Sequence, residues 1–294
     1  MGEAMLKGRL GRRTALKALG SVGGGMLLGG ILSSCQGSDR SPLPTRISDV
    51  DILNFALNLE YLEAAFYLAA VGRLNQLPGG TASVILPSGV SGSTTVPGLT
   101  GDDLALAQEI ANDELAHVNF LRQALGSAAV SRPVIDLSNS FNAIQQGFNP
   151  FSDPVSFFVG AFVFEDVGVT AYSGAAPLIT DKQNVLKPAA GILAVEAYHA
   201  GAVRRILIER RAAPVPGTGL TVEQLANAIA NARASLSGGG DEGLTVSGTP
   251  NNVPADQNAV AFARTTDAVL KIVYLNANKK PGGFFPNGVN GNIR

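Results

Sequence analysis

The sequence predicts an all-α protein, built as a four-helix bundle with one long crossover connection and two additional C-terminal helices. Four long segments carry helix start and stop signals, and residues 127–152 form a long connection between the second and the third. Such a connection lets the third helix run parallel to the second, whereas a short loop would force it antiparallel. Hydrophobic residues make up 46% of the 294 residues, which is enough for a large core.

Capping patterns mark the first two helices. The first predicted helix spans residues 49–71 and opens with a capping box of Ser48 and Asp51. The second spans residues 101–125, and Thr100 and Asp103 are its predicted cap pair. Both segments end before a glycine, the residue that most often follows a helix C-terminus.

Similar signals mark the later helices. The third opens with an Asp-Pro pair, which places proline in the first turn, where its missing N–H costs nothing. The third helix is predicted over residues 153–174, and the fourth starts between residues 181 and 188 and ends at residue 211. The two C-terminal helices are predicted over residues 221–236 and 256–276.

These segments divide the chain into four predicted parts. Residues 1–34 form a signal peptide, and residues 35–47 form a Ser/Pro-rich tether. Residues 48–211 form the four-helix bundle. Residues 212–294 form a helical extension that packs on the bundle.

The first 34 residues resemble a twin-arginine export signal. Arg12 and Arg13 lie in a basic region, and a glycine-rich apolar run follows from residue 18 to residue 34. The run ends in Leu-Ser-Ser-Cys, which is similar to a bacterial lipobox and implies that Cys35 becomes a lipidated N-terminus. The alternative is an uncleaved transmembrane anchor, although the run is shorter than the roughly 20 residues that span a bilayer. We expect an exported protein of the periplasm or cell envelope, anchored in the membrane through Cys35.

Composition excludes several classes of site. Cys35 is the only cysteine, so the chain has no internal disulfide and no thiolate cluster for a metal. Basic residues do not cluster with aromatic ones, so we expect no nucleic-acid partner. Only 15% of the residues are charged, so an acid inside an apolar segment needs an explanation.

Both histidines of the chain follow a glutamate by three residues, as Glu114 with His117 and Glu196 with His199. Residues three apart share one helix face, so each pair can direct a carboxylate and an imidazole at one point. A solvated helix face is the alternative, but the apolar neighbours of Glu196 argue against it.

The first and third predicted helices each contain a glutamate in an apolar stretch, Glu60 and Glu165. A buried carboxylate without a partner is costly, so each must be paired, protonated or bound to a cation. Glu63 shares a face with Glu60 and is the alternative ligand in the first helix. Tyr67 follows Glu60 by seven residues, and Tyr172 follows Glu165 by seven, which favours Glu60. These tyrosines are either core residues or hydrogen-bond donors to the ligands.

A glutamate from two helices and a Glu-x-x-His from the other two is the ligand set of ferritin-like bundles that hold two metal ions. Carboxylates with one imidazole per ion favour iron or manganese. The alternative is a metal-free bundle whose acids pair with arginine or with each other.

Four stretches, LNFALNLEYLEAAFY, ANDELAH, FVFEDVGVTAY and VEAYHAG, resemble bacterial ferritin-like domain proteins related to plant desiccation-related proteins. The tail GGFFPNGVNG is similar to theirs as well, so the resemblance covers most of residues 48–294. It implies that Glu114 and Glu196 bridge two metal ions, that Glu60 and Glu165 are terminal ligands, and that His117 and His199 supply the nitrogens.

We expect redox chemistry with dioxygen or peroxide, of the ferroxidase, peroxidase or catalase type, in protection against stress. The alternative is a metal-storage protein without catalysis, or a structural envelope protein, linked to desiccation or oxidative stress. The expected partners are iron or manganese ions, dioxygen or peroxide, and the membrane. The sequence leaves the oligomeric state open, with a homodimer as one arrangement.

Overall fold

The computed structural model describes residues 47–239 and 243–294. The predicted export signal with Arg12 and Arg13, and the predicted lipidation site Cys35, lie outside the described residues. In the described part, helices account for most of the regular structure and the strands are two residues long.

Four long helices form the bundle, as the sequence predicts. Seven α-helices are described: α1 Asp49–Ala70, α2 Gly101–Leu125, α3 Asn139–Ile144, α4 Pro154–Ala175, α5 Lys187–Glu209, α6 Val222–Ser237 and α7 Thr266–Val273. Helix α1 packs along α2, and α4 packs along α5. A π-helical turn, Lys182–Leu186, leads into α5, so Pro188 lies in the first turn of α5 and does not kink it.

Contacts between the helices fix their directions. In α1 and α4, Tyr67 contacts Glu165 and Tyr172 contacts Glu60, so these two helices are antiparallel. In α1 and α2, hydrogen bonds join Tyr61 to Arg122 and Arg73, just after α1, to Asn112, so this pair is antiparallel too. Helices α2 and α4 are therefore parallel. This is the arrangement that the long crossover predicts.

The two inner helices are buried on all sides. Every residue from 54 to 70 in α1 and from 156 to 168 in α4 is buried. The stretch Pro154–Leu178 is long and apolar enough to cross a membrane, but 89% of its apolar window is buried inside the protein. We therefore interpret it as a core helix of the bundle. Helices α2 and α5 bury only one stripe each, as expected of the outer layer of a bundle.

Most predicted helix starts are confirmed. Ser48 and Asp51 form the capping box of α1, and Asp153 accepts a hydrogen bond from the backbone N–H of Ser156 at the start of α4. Thr100 is the N-cap residue of α2, as predicted, but the predicted cap pair does not form, because its side chain makes no capping hydrogen bond. The Asp103 carboxylate, one turn into α2, binds the guanidinium of Arg210 instead.

The two long connections are tied together by short strands. Strand β1 (Val84–Ile85) precedes α2, and β2 (Ile135–Asp136) lies in the crossover. They pair in parallel, with Val84 opposite Ile135. This pairing ties the connection before α2 to the crossover. The remaining strands form two antiparallel pairs in the C-terminal part, β3 (Pro214–Val215) with β4 (Leu220–Thr221) and β5 (Thr245–Val246) with β6 (Thr249–Pro250).

The C-terminal part packs against α4 through α6 and α7. Helix α6 opens with a capping box, in which the side chain of Thr221 accepts from the N–H of Gln224. The predicted last helix, residues 256–276, is wrong at both ends, because α7 spans only Thr266–Val273. The Asp256 carboxylate accepts hydrogen bonds from nearby backbone N–H groups, and this turn replaces the predicted first helical turns. Positive φ at Leu275 ends the helix.

Candidate metal centre

Four glutamate and two histidine side chains meet at the middle of the bundle. Helices α1 and α4 contribute one glutamate each, and α2 and α5 contribute the two Glu-x-x-His pairs. All six residues that the sequence singles out are buried, with exposed fractions between 0% and 8%: Glu60, Glu114, His117, Glu165, Glu196 and His199. Four separate chain segments thus bring acids and imidazoles to one place.

The first group of donors surrounds one position. Oxygen or nitrogen atoms of Glu60, Glu114, His117 and Glu196 all lie within 4.8 Å of one another. The Nδ1 atom of His117 is 3.2 Å from Oε2 of Glu60, 3.5 Å from Oε2 of Glu114 and 3.9 Å from Oε1 of Glu196. Three carboxylates and one imidazole converging in this way could hold a metal ion.

The second group shares Glu114 with the first. Donor atoms of Glu114, Glu165 and His199 lie within 4.8 Å of one another. The Nδ1 atom of His199 is 3.1 Å from Oε1 of Glu114 and 3.6 Å from Oε2 of Glu165. Because the two oxygens of Glu114 face different histidines, its carboxylate lies between the two positions.

The two tyrosines bind Glu165 and Glu60 crosswise between α1 and α4. The hydroxyl of Tyr67, on α1, donates to Oε1 of Glu165 on α4. The hydroxyl of Tyr172, on α4, donates to Oε1 of Glu60 on α1. Each phenol therefore leaves one carboxylate oxygen of its partner directed at the centre.

Several donor atoms of the centre have no protein partner. In the described part of the chain, both oxygens of Glu114 and of Glu196, Oε2 of Glu165 and Nδ1 of His199 are buried without a hydrogen bond. The 3.1 Å contact between His199 and Glu114 is close, but its atoms are not aligned for a hydrogen bond. Burying several carboxylate oxygens without a hydrogen bond costs free energy, and bound cations would offset that cost. The donor set therefore fits metal ions.

Burial and neighbouring charges shift the pKa values of the acids of the centre in different directions. Burial and the nearby Glu114 carboxylate raise the pKa of Glu60 to about 7. Burial also acts on Glu114, but the imidazoles of His117 and His199 outweigh it and hold the pKa of Glu114 at about 2. Burial raises the pKa of Glu196 well above its ordinary value. Divalent ions would offset the repulsion that these values reflect.

The carboxylates have the opposite effect on the histidines. Burial alone would lower the pKa of each imidazole, but Glu114 and Glu60 raise the pKa of His117 to about 10. Glu114 and Glu165 likewise raise the pKa of His199 to about 11. A metal ion competes with these protons for the same nitrogens.

Glu63, the alternative ligand in α1, is buried beside the centre but belongs to neither group of donors. Its Oε1 lies 3.2 Å from the position that a Cβ atom would take at Gly168. Gly168 is the residue of α4 that matches Glu63 by spacing. The choice of Glu60 over Glu63 as a ligand stays a prediction.

Two acids next to the ligands have distinct partners that spacing alone does not reveal. Asp113 accepts from Nε2 of His199 at 3.1 Å, which leaves Nδ1 of this imidazole directed at the centre. Asp166 lies on the far side of α4, buried between Arg204 and Arg233. Their charges lower the pKa of Asp166 despite its burial. The sequence gave only a weak signal for the contact of Asp113 with His199, namely the position of Asp113 directly before Glu114. The contacts of Asp166 with the two arginines could not be predicted from spacing, because they form only in the folded chain.

The chain belongs to the ferritin-like family: the family profile described as "Ferritin-like domain" matches residues 48–209. Two plant proteins are similar over most of their length. "Ferritin-like catalase Nec2" of Nesocodon mauritianus is 30% identical over 273 residues, which are 84% of this chain and 85% of the relative. "Desiccation-related protein PCC13-62" of Craterostigma plantagineum is 30% identical over 272 residues, which are 83% of each chain. No solved structure gives a significant match.

Proposed function

We propose that the protein binds a pair of iron or manganese ions in its bundle and uses them in redox chemistry with peroxide or dioxygen. One observation carries this proposal: six donor residues from four helices converge in two groups that share Glu114, and most of their carboxylate oxygens lack a protein partner. The name of one relative, a ferritin-like catalase, favours peroxide as the substrate.

The residues of the centre have different roles in this proposal. Glu60, Glu114, His117 and Glu196 would hold one ion, and Glu114, Glu165 and His199 would hold the other. A bound pair of such ions supplies electrons or accepts them by changing oxidation state. Tyr67 and Tyr172 orient the terminal carboxylates, and Asp113 orients His199. The apolar residues of α1 and α4 keep bulk water away from the centre.

A second candidate is metal storage or a structural role in the cell envelope during desiccation or oxidative stress, without turnover. The other relative, a desiccation-related protein, favours this reading. We further propose that the chain is exported through its twin-arginine-like leader and anchored through Cys35, since the leader carries both motifs.

The test is a metal and activity assay on residues 36–294. The purified protein should contain about two ions per chain, the number that the paired ligand set implies. Turnover of hydrogen peroxide, or oxidation of ferrous iron, supports the redox function. Bound metal without either activity supports the second candidate.

Glu165→Ala should abolish metal binding at one position at least, because it removes a donor from the smaller group. Glu109→Ala is the matched control, since Glu109 lies on the same bundle but is exposed. If the Glu165 variant keeps its full metal content, the ligand assignment is wrong.

A further inference from the structure

The two halves of the centre differ at one matched position. Spacing from the terminal glutamates pairs Glu63 in α1 with Gly168 in α4, each three residues after its ligand. A symmetric centre would have equivalent side chains at both positions. Here one half has a carboxylate, and the other half has no side chain.

The space at Gly168 is used by a side chain from another helix. A methyl group added to Gly168 would overlap Oε2 of Glu196 and lie 2.9 Å from its carboxylate carbon. Oε1 of Glu63 approaches the same point to 3.2 Å. Glu63 and Gly168 also line one small cavity of about 20 Å³, with apolar walls that include Leu62 and Val167. Gly168 therefore provides the room into which the Glu196 carboxylate is turned.

This orientation of Glu196 leaves the donor groups unequal. If Glu114 and Glu196 both bridged, as the family resemblance implies, each metal position would have four donor residues. In the structure, Glu114 belongs to both groups, but Glu196 belongs only to the group with Glu60 and His117. One position has four donor residues and the other has three.

We propose that Gly168 makes the two metal positions unequal, so that the chain binds its two ions in separate steps, the first at the position that includes Glu196. This inference rests on the proposed function, because it needs a chain that binds two ions. Affinity for a hard cation rises with the number of charged oxygen ligands, so the extra carboxylate strengthens the first step. Gly168 acts through Glu196 and is a positioning residue.

The test is a titration of the metal-free protein, residues 36–294, with Mn²⁺ alone, followed by electron paramagnetic resonance. Isolated and paired Mn²⁺ ions give different spectra, so the readout does not depend on activity. With one equivalent of Mn²⁺, the wild-type protein should show mainly isolated ions. The first step should be at least about tenfold tighter than the second, a difference of about 1.4 kcal/mol.

Three variants test which residues cause the difference in affinity between the two binding steps. Glu196→Gln should weaken the first step, and Glu165→Gln should weaken the second, because each residue belongs to one group only. Gly168→Ala should tighten the second step and make paired ions appear at one equivalent, since it turns the Glu196 carboxylate out of its space. Gly191→Ala is the matched control: this glycine lies in α5, nothing lies within 4 Å of an added Cβ, and the titration should match wild type.

The inference is overturned if wild type binds both ions with equal affinity, if Glu196→Gln weakens both steps equally, or if folded Gly168→Ala titrates like wild type. The two glutamine variants keep the test decisive if Gly168→Ala does not fold. A wild-type protein that takes up neither Mn²⁺ nor, in a second anaerobic titration, Fe²⁺ would overturn the proposed function as well, so the two failures are distinguishable.

Discussion

At the scale of single residues, the centre depends on side chains that each satisfy a partner from a different helix. Tyr67 and Tyr172 are fully or almost fully buried, and each hydroxyl finds a carboxylate on the opposite inner helix. A buried phenol needs such a partner, and a buried carboxylate oxygen needs a donor. The two requirements are met together, so these tyrosines couple the packing of α1 and α4 to the orientation of the ligands.

Replacing Tyr67 by phenylalanine tests this coupling. The change keeps the ring in the core but removes the hydroxyl that donates to Glu165, so the carboxylate is less well oriented. We expect Mn²⁺ affinity to fall about tenfold, the lower end of what the loss of a partner to a metal ligand costs. Tyr61→Phe is the control, because Tyr61 is as buried but its hydroxyl accepts from Arg122. Equal affinities of the two variants, measured by titration, would contradict the role of Tyr67.

Spacing in the sequence singled out the six side chains that meet in the bundle, because an i, i+3 pair must share a helix face and an acid in an apolar stretch needs a partner. It did not reveal that the tyrosines bind crosswise or that Asp113 contacts His199. Those contacts depend on the antiparallel alignment of helices that are far apart in the chain. Nor did spacing distinguish Glu114 from Glu196, whose difference arises from the space beside Gly168.

At the scale of helices, the ends were predictable where a local hydrogen bond fixes them. Ser48, Asp153 and Thr221 each cap a helix with an acceptor that lies within three residues of its donor. Thr100 has the same sequence signature, yet the carboxylate that was expected to support it binds Arg210 of another segment. The predicted start of the last helix failed for a similar reason, since Asp256 favours a turn.

Asp153→Ala measures what a true cap contributes. The carboxylate accepts from the N–H and the hydroxyl of Ser156 and from the hydroxyl of Ser152. Its loss should lower the free energy of unfolding by about 1 to 2 kcal/mol, measured by chemical denaturation near pH 7. Thr100→Ala is the control and should change it by less than about 0.5 kcal/mol, because that side chain caps nothing.

The same cap predicts a dependence on pH. Although partial burial opposes it, hydrogen bonds from Ser152 and Ser156 lower the pKa of Asp153 in the folded protein. The stabilisation is therefore complete above the unfolded-state pKa of about 3.9 and is lost as pH falls through the lower, folded value. The difference in stability between wild type and Asp153→Ala should shrink below about pH 4. A difference that stays constant down to pH 3 would show that the carboxylate charge is not what caps α4.

At the scale of the whole molecule, one acid joins the bundle to the C-terminal part. Asp166 on α4 binds Arg204 of α5 at 2.8 Å and Arg233 of α6 at 3.0 Å. Arg204 also donates to the backbone carbonyl oxygens of Gly243 and Asn251, and both guanidinium groups stack on Phe162. The sequence predicted a C-terminal extension that packs on the bundle. It gave no sign of this network, because its members are far apart in the sequence (Asp166 and Asn251 are 85 residues apart) and meet only in the folded chain.

Asp166→Asn tests how strongly this network holds the molecule together. The change keeps the shape of the side chain but leaves two buried guanidinium groups without their shared anion. Removing one partner from a buried ion network costs about 3 to 5 kcal/mol, so unfolding should begin at a clearly lower denaturant concentration. Hydrogen exchange should rise in α6 before it rises in α1, since α6 loses its ionic contact with α4 while the inner helices keep their apolar core. Glu209→Gln is the control, because the Arg205–Glu209 pair is more than half exposed and should contribute less than about 1 kcal/mol. If the two variants unfold alike, the contacts of Asp166 with the two arginines contribute little to the stability of the folded chain.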